Sequence, residues 1–406
     1  MKSIFNAPKK VIYCSKCVMS NQRPMSIPEF LHKKNRKGAG YLNLSNPDLV
    51  CDACRYSEVK KKIDWKKREK ELLKLLDKYR SKGKDYDCLV PGSGGKDSIF
   101  ASHILKHKYG MNPLTVTWSP ILYTEYGYKN YLNWVEKGSF DNIHVKQNGE
   151  VMKKLTKLSI ENLLHPFQTF ILGQKNLAPK IAKNFNINLV FYGESEAEYG
   201  NPIAENNASL RKKSYFSMNK NTQMHLAGLS LNELKKKHNL DKKDLSIFFP
   251  IENDELKSTK INFHYLGYYL KWLPQENYYY SVENCDFKPR PFRTQGTYSK
   301  YNSIDDKIDD LHYYTTFIKY GIGRASYDAS QEIRNDHLTR DEGKTLVKRF
   351  DGEFPDKYFN EVMDYLRMKP KDFLKLCDKF RSPHLWKKVK GEFKLRHTVN
   401  KDGTDD

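Results

Sequence analysis

The chain has 406 residues, and its 38% hydrophobic and 13% aromatic content is too rich for a disordered protein. At roughly 100–200 residues per domain, this length predicts two or three domains. Lysine and arginine total 71 against 49 acidic residues, and the net charge of +22 favours an anionic partner such as nucleic acid, a nucleotide or an acidic sugar. The basic residues are scattered along the chain, so a generally lysine-rich surface would explain the charge equally well.

The sequence shows no targeting segment. No apolar run approaches the ~18 residues that a membrane-spanning helix needs. The first residues, MKSIFNAPKKVIYC, lack the apolar stretch of a secretory signal. We therefore expect a cytoplasmic protein whose seven cysteines are reduced unless they hold a metal.

Two C-x2-C pairs near the start of the chain predict a metal site. The four cysteines are Cys14, Cys17, Cys51 and Cys54. Each pair directs two thiolates to one point, and two pairs complete a tetrahedron around Zn²⁺. Four cysteine ligands leave no open position, so this zinc should stabilise rather than catalyse. An iron–sulfur cluster or a redox pair is the alternative. Cys88, Cys285 and Cys377 stand alone, and each is interpreted as a core residue or a partly exposed thiol.

The next predicted elements lead to a glycine-rich loop. Residues 56–80 predict one charged amphipathic helix that links the zinc module to the core. Tyr86–Val90 predicts a strand, and Ser98–Tyr109 predicts a helix that ends at Gly110. The intervening loop thus joins the carboxyl end of a strand to a helix N-terminus. At that position backbone N–H groups and the helix dipole favour an anion.

The residue types in this loop suit a polyphosphate. Glycine lets the backbone approach phosphate oxygens and adopt positive φ. Ser93 and Ser98 offer hydroxyl donors, Lys96 adds positive charge, and Asp97 offers an oxygen ligand for Mg²⁺. A glycine turn without a ligand is the alternative. The predicted nucleotide-binding residues are Pro91, Gly92, Ser93, Gly94, Gly95, Lys96, Asp97, Ser98 and Gly193.

The spacing differs from the Walker pattern G-x4-G-K-[ST]. It resembles the SGGxDS signature of the PP-loop ATP pyrophosphatases. That resemblance implies cleavage of ATP between the α and β phosphates, with adenylation of a carbonyl or amide oxygen.

Strand and helix patterns then alternate. The predicted elements are strand Pro113–Trp118, helix Tyr126–Glu136, strand Asn142–Val145, helix Leu177–Asn184 and strand Asn188–Tyr192. This alternation predicts an α/β fold with a doubly wound parallel sheet, of the PP-loop (adenine nucleotide alpha-hydrolase-like) type. Ligands of such sheets bind beyond the carboxyl ends of the strands. Glu194 is therefore expected to face the phosphates or the metal, with a surface acid as the alternative.

The character of the chain changes after Lys271, so three domains are predicted. Residues 1–60 form the zinc module, residues 61–270 the PP-loop domain, and residues 271–406 a mostly helical region for substrate or partner binding. Asp305, Asp309 and His312 are expected on one helix face. The turn before Arg324, with Asp328 beyond it, could hold an acidic sugar or a phosphate, or it could be a helix cap with an ion pair. The tail from Lys387 is expected to be mobile.

The order of motifs resembles the N-acetyl sugar amidotransferase family of bacterial surface-polysaccharide and flagellin-glycan pathways. The matching stretches are YCSKCVMSNQRP, CDAC, VPGSGGKDS, GQKNLAPKIA, FYGESEAEYG, PRPFRTQGTYSKYNSIDDKIDDLHYYTTFIKYGIGRASYDASQEIR and KRFDGEFP. Together they extend almost from end to end and are more specific than SGGKDS alone. Asn201 departs from the pattern, because it stands where we expect a glycine.

The resemblance implies a reaction. The acetamido group of a nucleotide-activated sugar becomes an acetamidino group, with ATP and ammonia consumed and AMP and pyrophosphate released. A separate glutaminase supplies the ammonia through a barrel-shaped partner that is similar to the cyclase subunit of imidazole glycerol phosphate synthase. The cofactors implied are ATP, Mg²⁺ and structural Zn²⁺. Pseudaminic, legionaminic and diacetamido-uronic acid derivatives all remain possible sugars.

Roles for individual residues follow from this chemistry. Asp97, with Glu194, would bind Mg²⁺, and Lys96 would stabilise charge at the α phosphate. Glu198 or Asp328 could accept the remaining proton. Arg324 and residues 294–312 are candidates for sugar recognition.

Two other functions fit parts of the pattern. Some tRNA-thiolating enzymes also join a cysteine zinc module to SGGKDS, and the net charge would suit tRNA. Such enzymes usually carry further cysteines around the ATP site, whereas this chain has none between Cys88 and Cys285. A non-catalytic zinc protein that binds nucleic acid would leave the phosphate loop unexplained.

Overall fold

A five-stranded parallel sheet lies at the centre of the computed structural model, which describes residues 3–34, 40–81, 85–200 and 208–399. The sheet has the strand order β3-β2-β1-β4-β9. The strands of the described chain are β1 Cys88–Pro91, β2 Pro113–Trp118, β3 Asn142–Val145, β4 Leu189–Tyr192, β5 Ser217–Met218, β6 His225–Leu226, β7 Leu229–Ser230, β8 Ile251–Glu252, β9 Asn262–Tyr265, β10 Trp386–Val389 and β11 Glu392–Leu395. Asn201 lies outside the described residues.

Burial explains why these short segments form the sheet. All six residues of β2 are buried, as are the first three residues of β1 and β4. Strands of parallel sheets are covered by helices on both faces, so they consist of nearly continuous apolar runs. The chain order reverses between β1 and β4, which pair at Leu89 and Val190. The predicted α/β fold with a doubly wound parallel sheet is confirmed, and its switch point lies between these two strands.

Helices cover the sheet and make up most of the C-terminal region. They are α1 Asp52–Lys61, α2 Trp65–Tyr79, α3 Lys96–His103, α4 Glu125–Lys137, α5 Gly149–Leu163, α6 Gln168–Asn184, α7 Leu231–His238, α8 Lys242–Leu245, α9 Asn253–Ser258, α10 Leu266–Tyr269, α11 Pro274–Cys285, α12 Asp309–Tyr320, α13 Arg324–Arg334, α14 Arg340–Phe350, α15 Asp356–Tyr365 and α16 Pro370–Phe380. A π-helical segment, Ile104–Lys108, continues α3.

The predicted helix over residues 56–80 is two helices. The first helix ends before Asp64, and the second begins after it. The Asp64 side chain accepts a hydrogen bond from the backbone N–H of Lys67 and so caps α2. The predicted helix Ser98–Tyr109 begins two residues earlier, at Lys96, within the glycine-rich motif itself.

The prediction that the tail from Lys387 is mobile is wrong for the first part of that tail. Strands β10 and β11 form an antiparallel hairpin, with Trp386 opposite Leu395. Trp386 is buried, and its indole N–H donates to the carbonyl of Ile318 in α12. One buried aromatic residue therefore fixes a segment whose lysines suggested a solvated tail.

One hydrophobic core joins regions that the sequence assigned to different domains. It contains Phe30 near the cysteine pairs, Leu89 of the sheet, and Phe359 and Trp386 of the C-terminal region. The predicted domain boundaries at residues 60 and 270 remain predictions. Within the described ranges, none of the helices combines the length and the apolar character required to cross a lipid bilayer.

Candidate active site

A cavity of about 580 Å³ opens at the carboxyl ends of β1, β2 and β4. We call it the loop cavity, because Pro91, Gly92, Ser93, Gly95, Lys96, Asp97 and Ser98 line it. Gly193 and Glu194, which follow β4, line it from the other side of the switch point. The fold therefore brings together all the predicted nucleotide-binding residues except Gly94, which packs against Tyr131 and does not line the cavity.

Two of the loop glycines are required by the protein's own packing. A Cβ atom at Gly92 would lie 2.3 Å from Ser98 Cβ, and one at Gly94 would lie 2.5 Å from Tyr131 Cα in α4. Gly94 also has φ of +86°, in the left-handed region that favours glycine. A Cβ at Gly95 would meet its nearest atoms only at 3.7 Å, so that position is open. The close approach of loop and helix explains part of the glycine pattern that the sequence attributed to phosphate.

Lys96 and Asp97 form an ion pair on the floor of the loop cavity. Lys96 is 8% exposed, while a third of the Asp97 side chain is accessible. The other Asp97 carboxylate oxygen accepts a hydrogen bond from Asn277 Nδ2 at 3.2 Å, and Ser281 Oγ donates to the Lys96 carbonyl at 2.9 Å. Helix α11, from the third predicted domain, therefore holds the two charged residues of the loop in place.

The two loop hydroxyls already have protein partners. Ser98 Oγ donates to the carbonyl of Gly95 at 2.9 Å, inside the first helical turn. Ser93 Oγ donates to Asp305 Oδ2 at 2.5 Å. A phosphate bound here would have to take over the Ser93 hydroxyl from Asp305.

Asp305, Asp306, Asp309 and His312 line the loop cavity together, although helix α12 begins only at Asp309. Burial raises the pKa of Asp306 to about 7, and it raises the pKa values of Asp305 and Asp309. Asp306 accepts hydrogen bonds from the backbone N–H groups of Ile121, Leu122 and Ile308, so its carboxylate also joins two loops. Burial lowers the pKa of His312 to about 3, so this imidazole is neutral.

The two glutamates that follow β4 have different surroundings. Glu194 lines the loop cavity, and burial, followed by the charge of Asp97, raises its pKa. Tyr199 donates a hydrogen bond to it. Glu198 instead forms a buried ion pair with Lys60 of α1 at 2.7 Å and does not line the cavity. The structure therefore does not bring the predicted proton acceptor Glu198 to the site, because Lys60 holds its carboxylate beneath the cysteine module.

The turn before α13 is a helix cap that also reaches the cavity. Asp351 accepts hydrogen bonds from the Gly323 N–H and from Ser326, and Arg324 Nε lies 2.9 Å from Asp328 Oδ1. Arg324 nevertheless lines the loop cavity. Asp328 does not line this cavity, and its carboxylate also accepts hydrogen bonds from Thr297 and Asn302.

Sequence reasoning missed several residues of the cavity wall. Arg211 is buried, forms an ion pair with Glu196, and packs its guanidinium against the rings of Tyr192 and Tyr215. It follows a segment without a recognisable motif, so only the fold brings it to the end of β9. Gln174 and Lys175 also line the cavity. The GQKNLAPKIA stretch contains both residues, so this motif was a signal that could have identified them.

The four predicted metal ligands converge. The sulfur atoms of Cys14, Cys17, Cys51 and Cys54 all lie within 4.8 Å of one another, and all four residues are buried. Two of the distances between sulfurs are 3.9 and 3.8 Å, as expected for ligands about 2.3 Å from a tetrahedral ion. These residues therefore fit a zinc ion. The three remaining cysteines are fully buried core residues.

The cysteine centre is tied to the C-terminal region. Arg340 of α14 donates to the carbonyls of Cys17 and Cys14 at 3.2 and 3.1 Å. Arg334 of α13 donates to the carbonyl of Glu198 at 3.0 Å. The centre, the segment after β4 and helix α13 therefore form one connected unit beside the loop cavity.

Comparison with known proteins gives two partial similarities and one match to a family model. An uncharacterized protein of Methanocaldococcus jannaschii, MJ1599, is 36% identical over 67 residues, which are 16% of this chain and 24% of that protein. The chain thus matches about a quarter of that relative's length. The NMN synthetase of Francisella tularensis aligns with 15% identity and a TM-score of 0.25, over 49% of this chain and 83% of that one.

Residues 295–400 match the family model described as LPS biosynthesis protein WbpG-like, C-terminal domain. This range includes Arg324, Asp328 and helix α12, which border the loop cavity or the space beside it. The resemblance to a surface-polysaccharide family is thus confirmed for this part: over residues 295–400, the chain is similar to the C-terminal domain of WbpG-like proteins of lipopolysaccharide biosynthesis.

Proposed function

We propose that this protein is an ATP-dependent, AMP-forming amidotransferase of surface-polysaccharide biosynthesis. It converts the acetamido group of a nucleotide-activated N-acetyl sugar to an acetamidino group. The observation that carries the proposal is the position of Lys96, Asp97 and Glu194. These three residues line the loop cavity at the switch point of the parallel sheet. They also line a second space that is bordered by the WbpG-like region.

The loop supports the first chemical step. The backbone N–H groups at the start of α3 would hold the β and γ phosphates. The acetamide oxygen would attack the α-phosphorus, and pyrophosphate would leave. Lys96, buried beside the loop, would stabilise the charge that develops on the α phosphate.

The carboxylates support a role for Mg²⁺ in the same step. Asp97 and Glu194 both line the loop cavity, and within the described part of the chain no third acidic, histidine or cysteine side chain joins them in a preformed metal-binding cluster. Mg²⁺ is commonly held by one or two carboxylates together with substrate phosphates, so this arrangement fits an ion that arrives with ATP. Bound there, Mg²⁺ would neutralise the leaving pyrophosphate.

Ammonia would complete the reaction. It would attack the carbon of the adenylated amide, and AMP would leave with the former amide oxygen. The nitrogen would come from a partner glutaminase through a cyclase-like barrel subunit, as the family resemblance implies. Asp328 is the proposed proton acceptor, because it lines the same space as Lys96 and Asp97, whereas Glu198 is held by Lys60.

Product analysis tests the proposal. The protein would be incubated with ATP, Mg²⁺, ammonium and a panel of CMP- and UDP-linked acetamido sugars. We expect a sugar product in which NH replaces O, together with AMP. Formation of ADP, or no turnover with any sugar of the panel, would contradict the proposal.

The alternative, tRNA thiolation, predicts a different result. It requires ATP turnover that depends on tRNA, and tRNA binding that weakens steeply with salt. Cys88 and Cys285 are buried away from the loop cavity, and within the described part of the chain no cysteine lines that cavity. This arrangement favours the amidotransferase.

A further inference from the structure

A second cavity, of about 250 Å³, lies between the loop cavity and the cysteine centre. We call it the inner cavity. Cys51 and Ala53 border it on one side, and Arg324 and Arg334 of α13 border it on another. Lys96, Asp97 and Glu194 line both cavities, so the proposed reacting groups form the wall between them. A molecule in the inner cavity would therefore lie next to the residues that are proposed to act on the α-phosphorus of a nucleotide in the loop cavity.

The arginines that line the inner cavity differ in their hydrogen-bond and ion-pair partners within the protein. Arg324 pairs with Asp328 and bonds Tyr313, and Arg334 donates to the Glu198 carbonyl. Arg23, from the YCSKCVMSNQRP stretch, is only 6% exposed, and its Nη1 has no hydrogen-bond partner among the described residues. Its guanidinium lies 6.0 Å from the Tyr327 ring centroid. A buried guanidinium nitrogen without an acceptor is costly, and a bound anion would supply the acceptor that this nitrogen lacks among the described residues.

The remaining polar groups suit an anion with a sugar ring attached. Asn302 and Gln331 also line the inner cavity. Of its acids, Asp328 is engaged by Arg324, Thr297 and Asn302, while Asp97 and Glu194 face the proposed Mg²⁺. The volume is below the ~300–1,000 Å³ of pockets for drug-sized ligands, so it fits one charged group and its ring rather than a whole nucleotide.

We propose that the inner cavity binds an anionic group, a carboxylate or a phosphate, and that Arg23 is its principal ligand. A guanidinium can donate two parallel hydrogen bonds to either group. That this anion belongs to the molecule receiving the α-phosphorus rests on the proposed function, whereas the existence of the anion site does not.

Binding measurements on the full-length, metal-loaded protein test the site. The loop cavity is first filled with α,β-methylene-ATP and Mg²⁺, so that added anions cannot occupy it. Inorganic phosphate and N-acetylneuraminic acid are then titrated by calorimetry, one as the phosphate probe and the other as the carboxylate probe. We expect saturable binding of at least one of them, and the stronger probe identifies the preferred group.

Variants identify the ligand. We expect Arg23→Gln to weaken the stronger probe by about tenfold or more, the loss typical of one charged hydrogen bond. Arg23→Lys, which retains the charge, should weaken it less, and binding of the ATP analogue should be unchanged in both. Arg55→Gln removes a half-buried arginine of the same N-terminal region that pairs with Asp48 and does not line the inner cavity, so it is the matched control and should leave the binding of both probes unchanged. Melting temperatures show whether each variant is folded. If Arg23→Gln does not fold, the comparison of Arg23→Lys with the control variant tests the site instead.

Two results would overturn the site: no saturable binding of either probe to the wild-type protein, or equal binding to the wild-type and Arg23 variants. Turnover separates this proposal from the proposed function. Anion binding that depends on Arg23 without amidation of any sugar would keep the site and contradict the function. Amidation with a sugar KM that is unaffected by Arg23→Gln would keep the function and contradict the assignment of this anion to the sugar substrate.

Discussion

At the scale of single residues, the glycine loop combines two requirements that look alike in the sequence. Gly92 and Gly94 allow the loop to pack on α3 and α4, whereas Gly95 has room for a side chain. The sequence predicted the loop and its residues, since the strand, the turn and the helix are local patterns. It could not separate packing from ligand binding, because Tyr131 and Asp305 reach the loop only in the fold.

Alanine substitutions separate these two requirements. Gly94→Ala should lower the free energy of unfolding by at least about 2 kcal/mol, since the position has positive φ and the methyl group would meet backbone atoms of Tyr131. Gly95→Ala should change it by less than about 1 kcal/mol, because this residue only precedes the first helical turn. Chemical denaturation of both variants measures the difference. Equal losses would show that the loop is not packed as described.

A buried histidine in β9 predicts a dependence on pH. Burial, with a smaller effect of the Lys78 charge, lowers the pKa of His264 to about 4, and its Nδ1 lies 2.9 Å from the Tyr269 hydroxyl oxygen. Between pH 6.5 and 4 the unfolded chain binds a proton at this residue that the folded chain does not. The stability linked to neutral His264 is therefore lost as pH falls through that range.

His264→Gln tests this sign. The variant lacks this titrating group. Between pH 6.5 and 5, the wild type should therefore lose about 1.6 kcal/mol more stability than the variant does. Denaturation at the two pH values measures it. A difference that does not change with pH would mean that His264 titrates normally.

At the scale of elements, the site depends on contacts between segments distant in sequence. Helix α11 holds Lys96 and Asp97, and the segment before α12 contacts Ser93. The periodicity of each helix predicted its existence, but periodicity does not specify which strand or loop a helix packs against. For the same reason, the sequence assigned both Glu194 and Glu198 to the site, Glu194 as a metal ligand and Glu198 as a proton acceptor, although Lys60 of α1 holds Glu198 outside the loop cavity.

Paired variants of these glutamates test their separate roles. Glu194→Gln should greatly reduce AMP formation with little loss of stability, since this residue lines the loop cavity. Glu198→Gln should cost about 3–5 kcal/mol of stability while kcat is largely kept, because it leaves Lys60 buried without its carboxylate. Steady-state kinetics measures kcat for each variant, and chemical denaturation measures its free energy of unfolding. A large loss of kcat in a fully folded Glu198→Gln variant would support Glu198 as the proton acceptor and contradict this prediction.

At the scale of the whole molecule, the regions predicted as separate domains act together. One core extends from Phe30 to Trp386, and the cysteine centre contacts α14 and, through Lys60 and Arg334, the segment after β4. Composition and motif spacing predicted the fold class and the four metal ligands. They could not predict the shared core, because it consists of apolar residues whose partners lie hundreds of positions away.

Metal removal tests this connection. Each chain should contain one zinc ion, and its removal by a strong chelator should destabilise the protein by more than about 5 kcal/mol, given the affinity of four-cysteine sites. Activity should fall with it, since Lys60 and Arg334 lose their supports, and added zinc should restore both. Metal analysis, melting curves and turnover measure these effects. Visible absorption from an iron–sulfur cluster, or full activity of the metal-free protein, would contradict this interpretation.

The central claim is that the loop at Lys96 and Asp97 directs the α-phosphorus of ATP to an amide oxygen. The most direct measurement uses an acetamido sugar substrate labelled with ¹⁸O in the carbonyl group, followed by mass spectrometry of the released nucleotide. The account predicts that AMP carries the ¹⁸O label and that the sugar product has lost it. A label that stays in the sugar, or that appears in phosphate or pyrophosphate instead of AMP, would contradict it.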